Sequence, residues 1–139
     1  MKEITAKEIE YIQEIIDSLD LPYYIYKLDN TVNDVKIYWK DLSRGQAQFK
    51  WFTKRIYIRE PNIQLRGPKA EELRMDIIRT KVPAICHELR HVRQYDTYGP
   101  MWYFLNNLPL IQNLKMEKEA YAVEDAAMEQ LELTKDLYL

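Results

Sequence analysis

The chain of 139 residues has little histidine, cysteine or glycine: two histidines, one cysteine and three glycines. Because Cys86 is the single cysteine, an internal disulfide is excluded. No apolar run approaches the roughly 20 residues of a membrane-spanning helix. Residues 1–3 lead directly into an amphipathic pattern, without the apolar core of a secretory signal. We therefore expect a cytoplasmic protein that does not interact with membranes.

The chain also lacks an excess of either charge. Twenty Lys and Arg against 22 Asp and Glu give a formal charge of -2, and the two signs are mixed along the whole length. Without a basic stripe to meet phosphates, nucleic acid is not an expected partner. An apolar share of 47% and a charged share of 30% are ordinary for a globular protein. At this length, residues 1–139 are predicted to form a single domain with one core.

The first half of the chain indicates a helix followed by strands. Thr5 and Glu8 form a capping-box sequence, and isoleucine and leucine then recur at helical spacing until Pro22. Three stretches rich in aromatic and β-branched residues follow and are predicted to be strands: 23–28, 35–39 and 46–59. The third is long enough to fold back near residues 53–54, which divides it into strands 48–52 and 55–58.

The second half of the chain is predicted to be mostly helical. After a loop at 60–68, helical spacing returns from Lys69 to Tyr95 and stops before Gly99. Pro83 interrupts this run, so we expect either a kink or two helices with Pro83 in the first turn of the second. A connector at 98–113 leads to a last helix from about 114 to 133. Its predicted buried stripe is Met116, Ala120, Val123, Ala127 and Leu131.

A metal-binding motif lies in the helical run after Pro83. Residues 87–91 read His-Glu-Leu-Arg-His, and both histidines of the chain fall in this segment. Histidines at i and i+4 lie one helical turn apart on the same face, so His87 and His91 can converge on one zinc ion. Glu88 stands beside that face and is predicted to be the general base that takes a proton from a metal-activated water.

A catalytic zinc usually has three protein ligands, and the chain contains no third histidine. A carboxylate must therefore complete the site, and the last helix offers Glu117, Glu119 and Glu124. A helical wheel centred on Ala120 places Glu117 and Glu124 at the border of the buried stripe and turns Glu119 towards solvent. The pattern thus leaves Glu117 and Glu124 as alternative third ligands.

These motifs resemble those of a known group of peptidases. H-E-x-x-H followed by E-x-x-A at 117–120 is similar to the gluzincins: the CAAX prenyl protease group, phage-associated peptidases that cleave repressors, and especially the very small minigluzincins. Their order of helix, short sheet, motif helix and glutamate-bearing helix covers nearly the whole chain. The resemblance implies a zincin-like α+β fold with a small, mostly antiparallel sheet, and Glu117 as the metal ligand.

One position departs from the pattern of that group. Four residues after the ligand glutamate, those families commonly carry an Asp or Asn that supports a metal-bound histidine, whereas this chain has Tyr121. Either the support of the histidines is built differently here, or Glu124 is the third ligand. Gln94, one turn beyond His91, is a further candidate for a hydrogen bond near the site. Cys86 points away around the helix and is predicted to be a core residue.

The predicted function is zinc-dependent hydrolysis of peptide bonds, with a peptide or protein as the substrate. One zinc ion is expected at His87, His91 and Glu117, although such a site also accepts cobalt or manganese. An edge strand within 46–51 is a candidate to hold the substrate by main-chain pairing. Tyr98, Tyr103 and Tyr121 lie near the motif in sequence, and none is assigned as an oxyanion stabiliser.

Two alternatives to an active peptidase stay open. The first is an interaction or regulatory module that keeps the zincin fold without cleaving anything. The second is a latent enzyme whose cleft is occupied by residues 137–139 or by a loop. The oligomeric state is not indicated by any feature of the sequence.

Overall fold

The computed structural model describes residues 1–28, 35–61, 66–106 and 114–134, and within these ranges the chain has an α+β fold, as predicted. The helices are α1 (Ala6–Asp17), α2 (Ala70–Tyr98), α3 (Pro100–Asn106) and α4 (Leu114–Gln130). The strands are β1 (Lys2–Glu3), β2 (Lys36–Lys40), β3 (Ala47–Lys50) and β4 (Arg55–Arg59). No helix in these ranges is long and apolar enough to cross a membrane.

The described strands form one mixed sheet in the order β1-β2-β4-β3. β1 pairs antiparallel with β2, and β3 pairs antiparallel with β4, but the central pair of β2 and β4 is parallel. The expectation of a mostly antiparallel sheet thus holds for two of the three described strand pairs, and the parallel central pair makes the sheet mixed. The reason is that β3 and β4 form a hairpin, closed at Lys54 with a φ of 55°, and β4 rather than β3 inserts beside β2. This arrangement leaves β3 at an edge.

The predicted strand at 23–28 is wrong, because this segment belongs to no strand or helix. Its backbone contacts α2 instead of a neighbouring strand. The Tyr26 amide donates to the Leu89 carbonyl at 3.4 Å, and Arg90 Nη1 donates to the Tyr24 carbonyl at 2.6 Å. The aromatic side chains of the segment take part in this packing: the Arg90 guanidinium lies 5.1 Å from the centre of the Tyr23 ring.

The capping box at the start of α1 is confirmed. Thr5 Oγ1 accepts from the Glu8 amide, and Glu8 Oε1 accepts from the Thr5 amide, both at 3.1 Å. These reciprocal bonds satisfy two amides that lack intrahelical acceptors. Ile12 and Ile16 are buried, so the apolar face of α1 joins the core.

α2 is one helix with Pro83 inside it, so the alternative of two separate helices is wrong. It ends at Tyr98, and the residue that caps it, Gly99, has a φ of 89° that favours glycine. Its fully buried residues Val82, Ile85, Leu89 and Val92 form the centre of the core. The connector after α2 contains α3, which the sequence pattern did not predict, while residues 107–113 lie outside the described part of the chain.

α4 ends at Gln130, slightly before the predicted end. The predicted stripe of α4 is confirmed, since all five of its residues are buried: Met116, Ala120, Val123, Ala127 and Leu131. α4 packs against α2, and this pair of helices brings the histidines of α2 close to the glutamates of α4.

Candidate functional site

The two histidines of the motif lie side by side on the face of α2 that meets α4. His87 and His91 are both buried, and their Nε2 atoms are 3.2 Å apart. A separation of four residues puts them one helical turn apart, which is why the rings approach each other edge to face, with centroids 4.9 Å apart. Both Nε2 atoms therefore point to one place between α2 and α4.

Glu117 of α4 reaches the same place. Its Oε1 lies 3.0 Å from Nε2 of His91, and its Oε2 lies 3.5 Å from Nε2 of His87. Ligands of a tetrahedral zinc, bound at about 2.0–2.1 Å, are separated from each other by about 3.3 Å. The donor atoms of His87, His91 and Glu117 thus fit a single metal ion, and these three residues form a group that could hold one.

Glu124 occupies a different position from Glu117. Its Oε1 lies 3.0 Å from Nδ1 of His87, the ring nitrogen that does not face the other histidine. This contact does not meet the geometry of a hydrogen bond, so Nδ1 has no hydrogen-bond partner within the described residues. The contact is one of charge, and the Glu124 side chain is only 12% exposed. Glu124 is therefore placed behind His87, where a carboxylate orients a metal-bound imidazole.

The pKa values of His87 and Glu117 are shifted in the directions that a negatively charged site produces. Burial lowers the pKa of His87, but its contacts with Glu117 and Glu124 outweigh burial and raise that pKa to about 9. The contacts of Glu117 with His87 and His91 hold the pKa of Glu117 well below its usual range. Without a metal ion, a proton on His87 balances the surrounding carboxylates. A divalent cation can replace this proton, because it balances the carboxylates in the same way. It binds histidine in the neutral form and glutamate in the ionised form.

Glu88 is held against the sheet, beside the cluster. Its Oε2 accepts a hydrogen bond of 3.1 Å from the amide of Phe49 on β3. Burial raises the pKa of Glu88, and the opposing influence of His91 and His87 does not cancel this effect. A carboxylate with a raised pKa is a stronger base than an exposed one, which suits proton transfer near neutral pH.

A second set of polar residues lies behind His91, and the helical-wheel prediction was wrong for one of them. Glu119 was expected to face solvent, but its side chain is only 14% exposed and its Oε2 accepts from Arg90 Nη2 at 2.8 Å. Gln94 Oε1 is 2.9 Å from Nδ1 of His91. The i+3 spacing from His91 to Gln94 is a local signal for this contact, whereas the pairing of Arg90 with Glu119 depends on how the two helices pack.

Two of the three tyrosines near the motif contact the histidines. The Tyr121 ring packs edge-on against His87, with centroids 4.6 Å apart, and Tyr103 lies 6.3 Å from His91. Tyr98 instead stacks on Trp102 at 4.4 Å. Cys86 is fully buried, and burial together with Glu124 raises its pKa to about 12, as expected for a core thiol rather than a ligand.

A cleft of about 290 Å³ opens beside His87 and Glu88. Its other lining residues come from the approach to β3, from α2 and from α4: Gly45, Gln46, Ala47, Ala84, Tyr121 and Glu124. Edge strand β3 therefore forms one wall and α4 the other. A larger cleft of about 350 Å³ lies at the end of α1 and contains no histidine or glutamate, so it offers no comparable chemistry.

Comparison of the chain with protein-family models, with curated proteins and with solved structures finds no match. The resemblance to gluzincins therefore stays a prediction based on the motifs. The case for a function depends on the arrangement of the residues themselves.

Proposed function

We propose that this protein is a zinc-dependent metallopeptidase. The observation that carries the proposal is the convergence of His87, His91 and Glu117 next to a partly buried carboxylate, Glu88, at the edge of a cleft. A purely structural metal site needs no such base. Two histidines and one carboxylate leave the fourth position of a tetrahedral zinc free, as in catalytic rather than structural sites.

The residues of the chain have separate tasks in this proposal. His87, His91 and Glu117 would hold zinc, which lowers the pKa of a water molecule to about 7 and polarises the scissile carbonyl. Glu88 takes a proton from the attacking water and returns it to the leaving amine. The Phe49 amide holds Oε2 of Glu88 and so leaves Oε1 as the atom available for the proton.

The position of β3 supports a peptide as the substrate. β3 is an edge strand among those described, and the residues that lead into it line the cleft. Along β3, successive backbone amides point alternately towards β4 and away from it. The Phe49 amide points away from β4 and donates to Glu88. An extended peptide laid along this edge would bring a peptide bond close to Glu88. The cleft of about 290 Å³ is large enough for one side chain of that peptide.

The test is zinc content and cleavage of a mixture of fluorogenic peptides, measured on the wild type and on variants. We expect Glu88→Gln to keep its zinc and to lose about 10²–10⁴-fold in kcat/KM. His87→Ala and Glu117→Ala are expected to lose both zinc and activity. Glu129→Gln, the same kind of change at an exposed residue of α4, is the matched control and is expected to behave as the wild type.

Other outcomes would point to the alternatives. Zinc binding without any cleavage would favour the non-catalytic interaction module. Cleavage that appears only after removal of residues 137–139, which lie outside the described part of the chain, would favour the latent enzyme. Activity that survives Glu88→Gln would contradict the proposed base. Reconstitution with cobalt or manganese would show which metal supports the highest activity.

A further inference from the structure

A chain of hydrogen bonds extends from His91 through α2 and α4. Nδ1 of His91 is 2.9 Å from Oε1 of Gln94. Nε2 of Gln94 donates to Oε2 of Glu119 and to the carbonyl of Met116, both at 3.1 Å. Arg90 Nη2 donates to the same Oε2 of Glu119 at 2.8 Å. Gln94 is 1% exposed, so water has little access to its amide.

The surroundings of Gln94 allow only one orientation of its amide. Both partners of Nε2 are oxygen atoms, one on Glu119 and one in the Met116 backbone. If the amide were reversed, its own oxygen would face these two acceptors without a hydrogen atom between them. An amide orientation is assigned from the network around it, and here the network requires that Oε1 faces His91.

Two acceptors compete for the proton of a neutral His91: Gln94 Oε1 at Nδ1, and Glu117 Oε1, 3.0 Å from Nε2. Oε1 of Gln94 can only accept, and at 1% exposure Gln94 has little access to water, so Nδ1 of His91 donates to it. The Glu117 carboxylate, 40% exposed, can be hydrated by water in place of a hydrogen bond from Nε2. In a neutral imidazole with its proton on Nδ1, the lone pair is on Nε2. Nε2 is the atom that faces His87 and Glu117. His91 is thus prepared as a metal ligand before any metal arrives.

Arg90 keeps Glu119 in place as the acceptor. The guanidinium has donors only, so both groups that contact Oε2 of Glu119, Arg90 Nη2 and Gln94 Nε2, donate to it. Arg90 is itself anchored by the Tyr24 carbonyl at 2.6 Å and by the Tyr23 ring. The segment 21–28, α2 and α4 are therefore joined through one Arg–Glu pair.

We propose that Gln94, oriented by Glu119, is a positioning residue that fixes His91 in the tautomer with its proton on Nδ1 and so directs Nε2 to the metal. This inference rests on the proposed metal site, but its main test needs no metal. Metal binding then requires no change in the tautomer or orientation of the His91 ring, so no binding free energy is lost to such a change. Loss of such a partner typically weakens metal binding about 10–100-fold.

The first measurement is ¹⁵N NMR of the histidine rings in metal-free protein at about pH 10, above the pKa of His87. The chain has two histidines, so the spectrum is simple, and His87→Ala assigns it. We expect the wild type to show His91 with its proton on Nδ1. Gln94→Met should give a mixture of tautomers and a zinc Kd that is about 10–100-fold higher.

Two further variants make the test specific. Glu119→Ala leaves His91 and Gln94 in place and should lower the population of His91 with its proton on Nδ1, by less than Gln94→Met does. If Gln94→Met does not fold, Glu119→Ala provides the test. Gln130→Met is the matched control, because Gln130 also bridges two segments, with bonds of 2.8 and 2.6 Å to Asp20, far from the metal site in sequence. It should lower thermal stability without changing the tautomer or the zinc Kd.

The outcomes separate this inference from the proposed function. An unchanged His91 tautomer in both Gln94→Met and Glu119→Ala overturns the positioning role, whether or not the protein binds zinc. A wild type that binds no zinc contradicts the metallopeptidase proposal, while the tautomer measurement still decides the role of Gln94. Unchanged zinc affinity in Gln94→Met, with a changed tautomer, shows that the orientation does not assist metal binding and also overturns the proposal.

Discussion

Oε1 of Glu124 lies 3.0 Å from Nδ1 of His87, whereas Glu117 contacts Nε2 of the same ring, at 3.5 Å. The two carboxylates therefore flank one imidazole from opposite sides. Because a metal bound at Nε2 is on the side of Glu117, this geometry favours Glu117 as the third ligand and Glu124 as the support of His87. In the proposed site, Glu124 takes the place of the support that the sequence lacks at Tyr121, three residues earlier.

This division of roles predicts different losses of zinc in two variants. Glu117→Ala should abolish stoichiometric zinc binding, because it removes a donor of the only metal-binding group found among the described residues. Glu124→Gln should still bind zinc, with an affinity about 10–100-fold lower. Competition with a chromophoric chelator measures both. A greater loss in Glu124→Gln than in Glu117→Ala would reverse the assignment.

The metal-free protein should lose stability as the pH rises. The folded pKa of His87, about 9, lies above its ordinary value of 6.5, so its stabilising contribution is complete below about pH 6.5 and disappears as the pH approaches 9. The pKa of Glu117 is lowered, so its contribution is present above about pH 4.5 and is lost in more acidic solution. Thermal unfolding in a chelator, at pH 5 to 9.5, should show this decline.

His87→Ala is the control for this pH dependence, because it removes the proton that stabilises the carboxylates. Its unfolding temperature should change less between pH 6.5 and 9 than that of the wild type. Zinc should show the opposite trend, since the metal competes with this proton and its affinity should rise over the same interval. Parallel curves for wild type and His87→Ala would contradict the assignment.

A buried lysine predicts a second pH effect, of opposite sign. Lys81 is fully buried, with Nζ 2.5 Å from Oε1 of Gln46, and burial followed by repulsion from Arg59 lowers its pKa from 10.5 to about 8. Between these two values the unfolded chain binds more protons than the folded one, so this residue makes stability rise with pH. Lys81→Met should remove that rise.

Chemical unfolding at intervals between pH 8 and 10.5 measures the contribution of Lys81. Lys118→Met is the matched control, because Lys118 is exposed on α4 and its replacement should leave the pH profile unchanged. The same profile in Lys81→Met and in the wild type would show that this lysine titrates normally.

The capping box of α1 predicts a local contribution to stability. Thr5→Ala removes the side-chain acceptor of the Glu8 amide and should lower the free energy of unfolding by about 1 kcal/mol. Denaturant titration measures this change. Ser43→Ala, at an exposed residue outside the helices and strands, should have an effect close to zero. Equal effects of the two substitutions would mean that the cap adds nothing.

The elements that sequence patterns predicted well are those governed by local geometry. The capping box at Thr5 and the buried stripe of α4 are confirmed, because both follow from the helical repeat alone. The segment 23–28 was predicted wrongly because aromatic and β-branched residues suit any half-buried surface. Here that surface is α2, reached through Tyr26 and Arg90.

The residues of the site divide in the same way, into those placed by spacing within one helix and those placed by the packing of two helices. The i, i+4 spacing places His87 and His91 together within one helix, so the sequence itself determined this pair and the position of Glu88 beside it. Only the tertiary structure decided that Glu117 contacts Nε2 of His87, that Glu124 contacts Nδ1 of the same ring, and that Glu119 is buried against Arg90. The physical reason is that the helical repeat fixes the direction of a side chain about the axis of its own helix. Which residue of the neighbouring helix that side chain contacts depends on how α4 crosses α2.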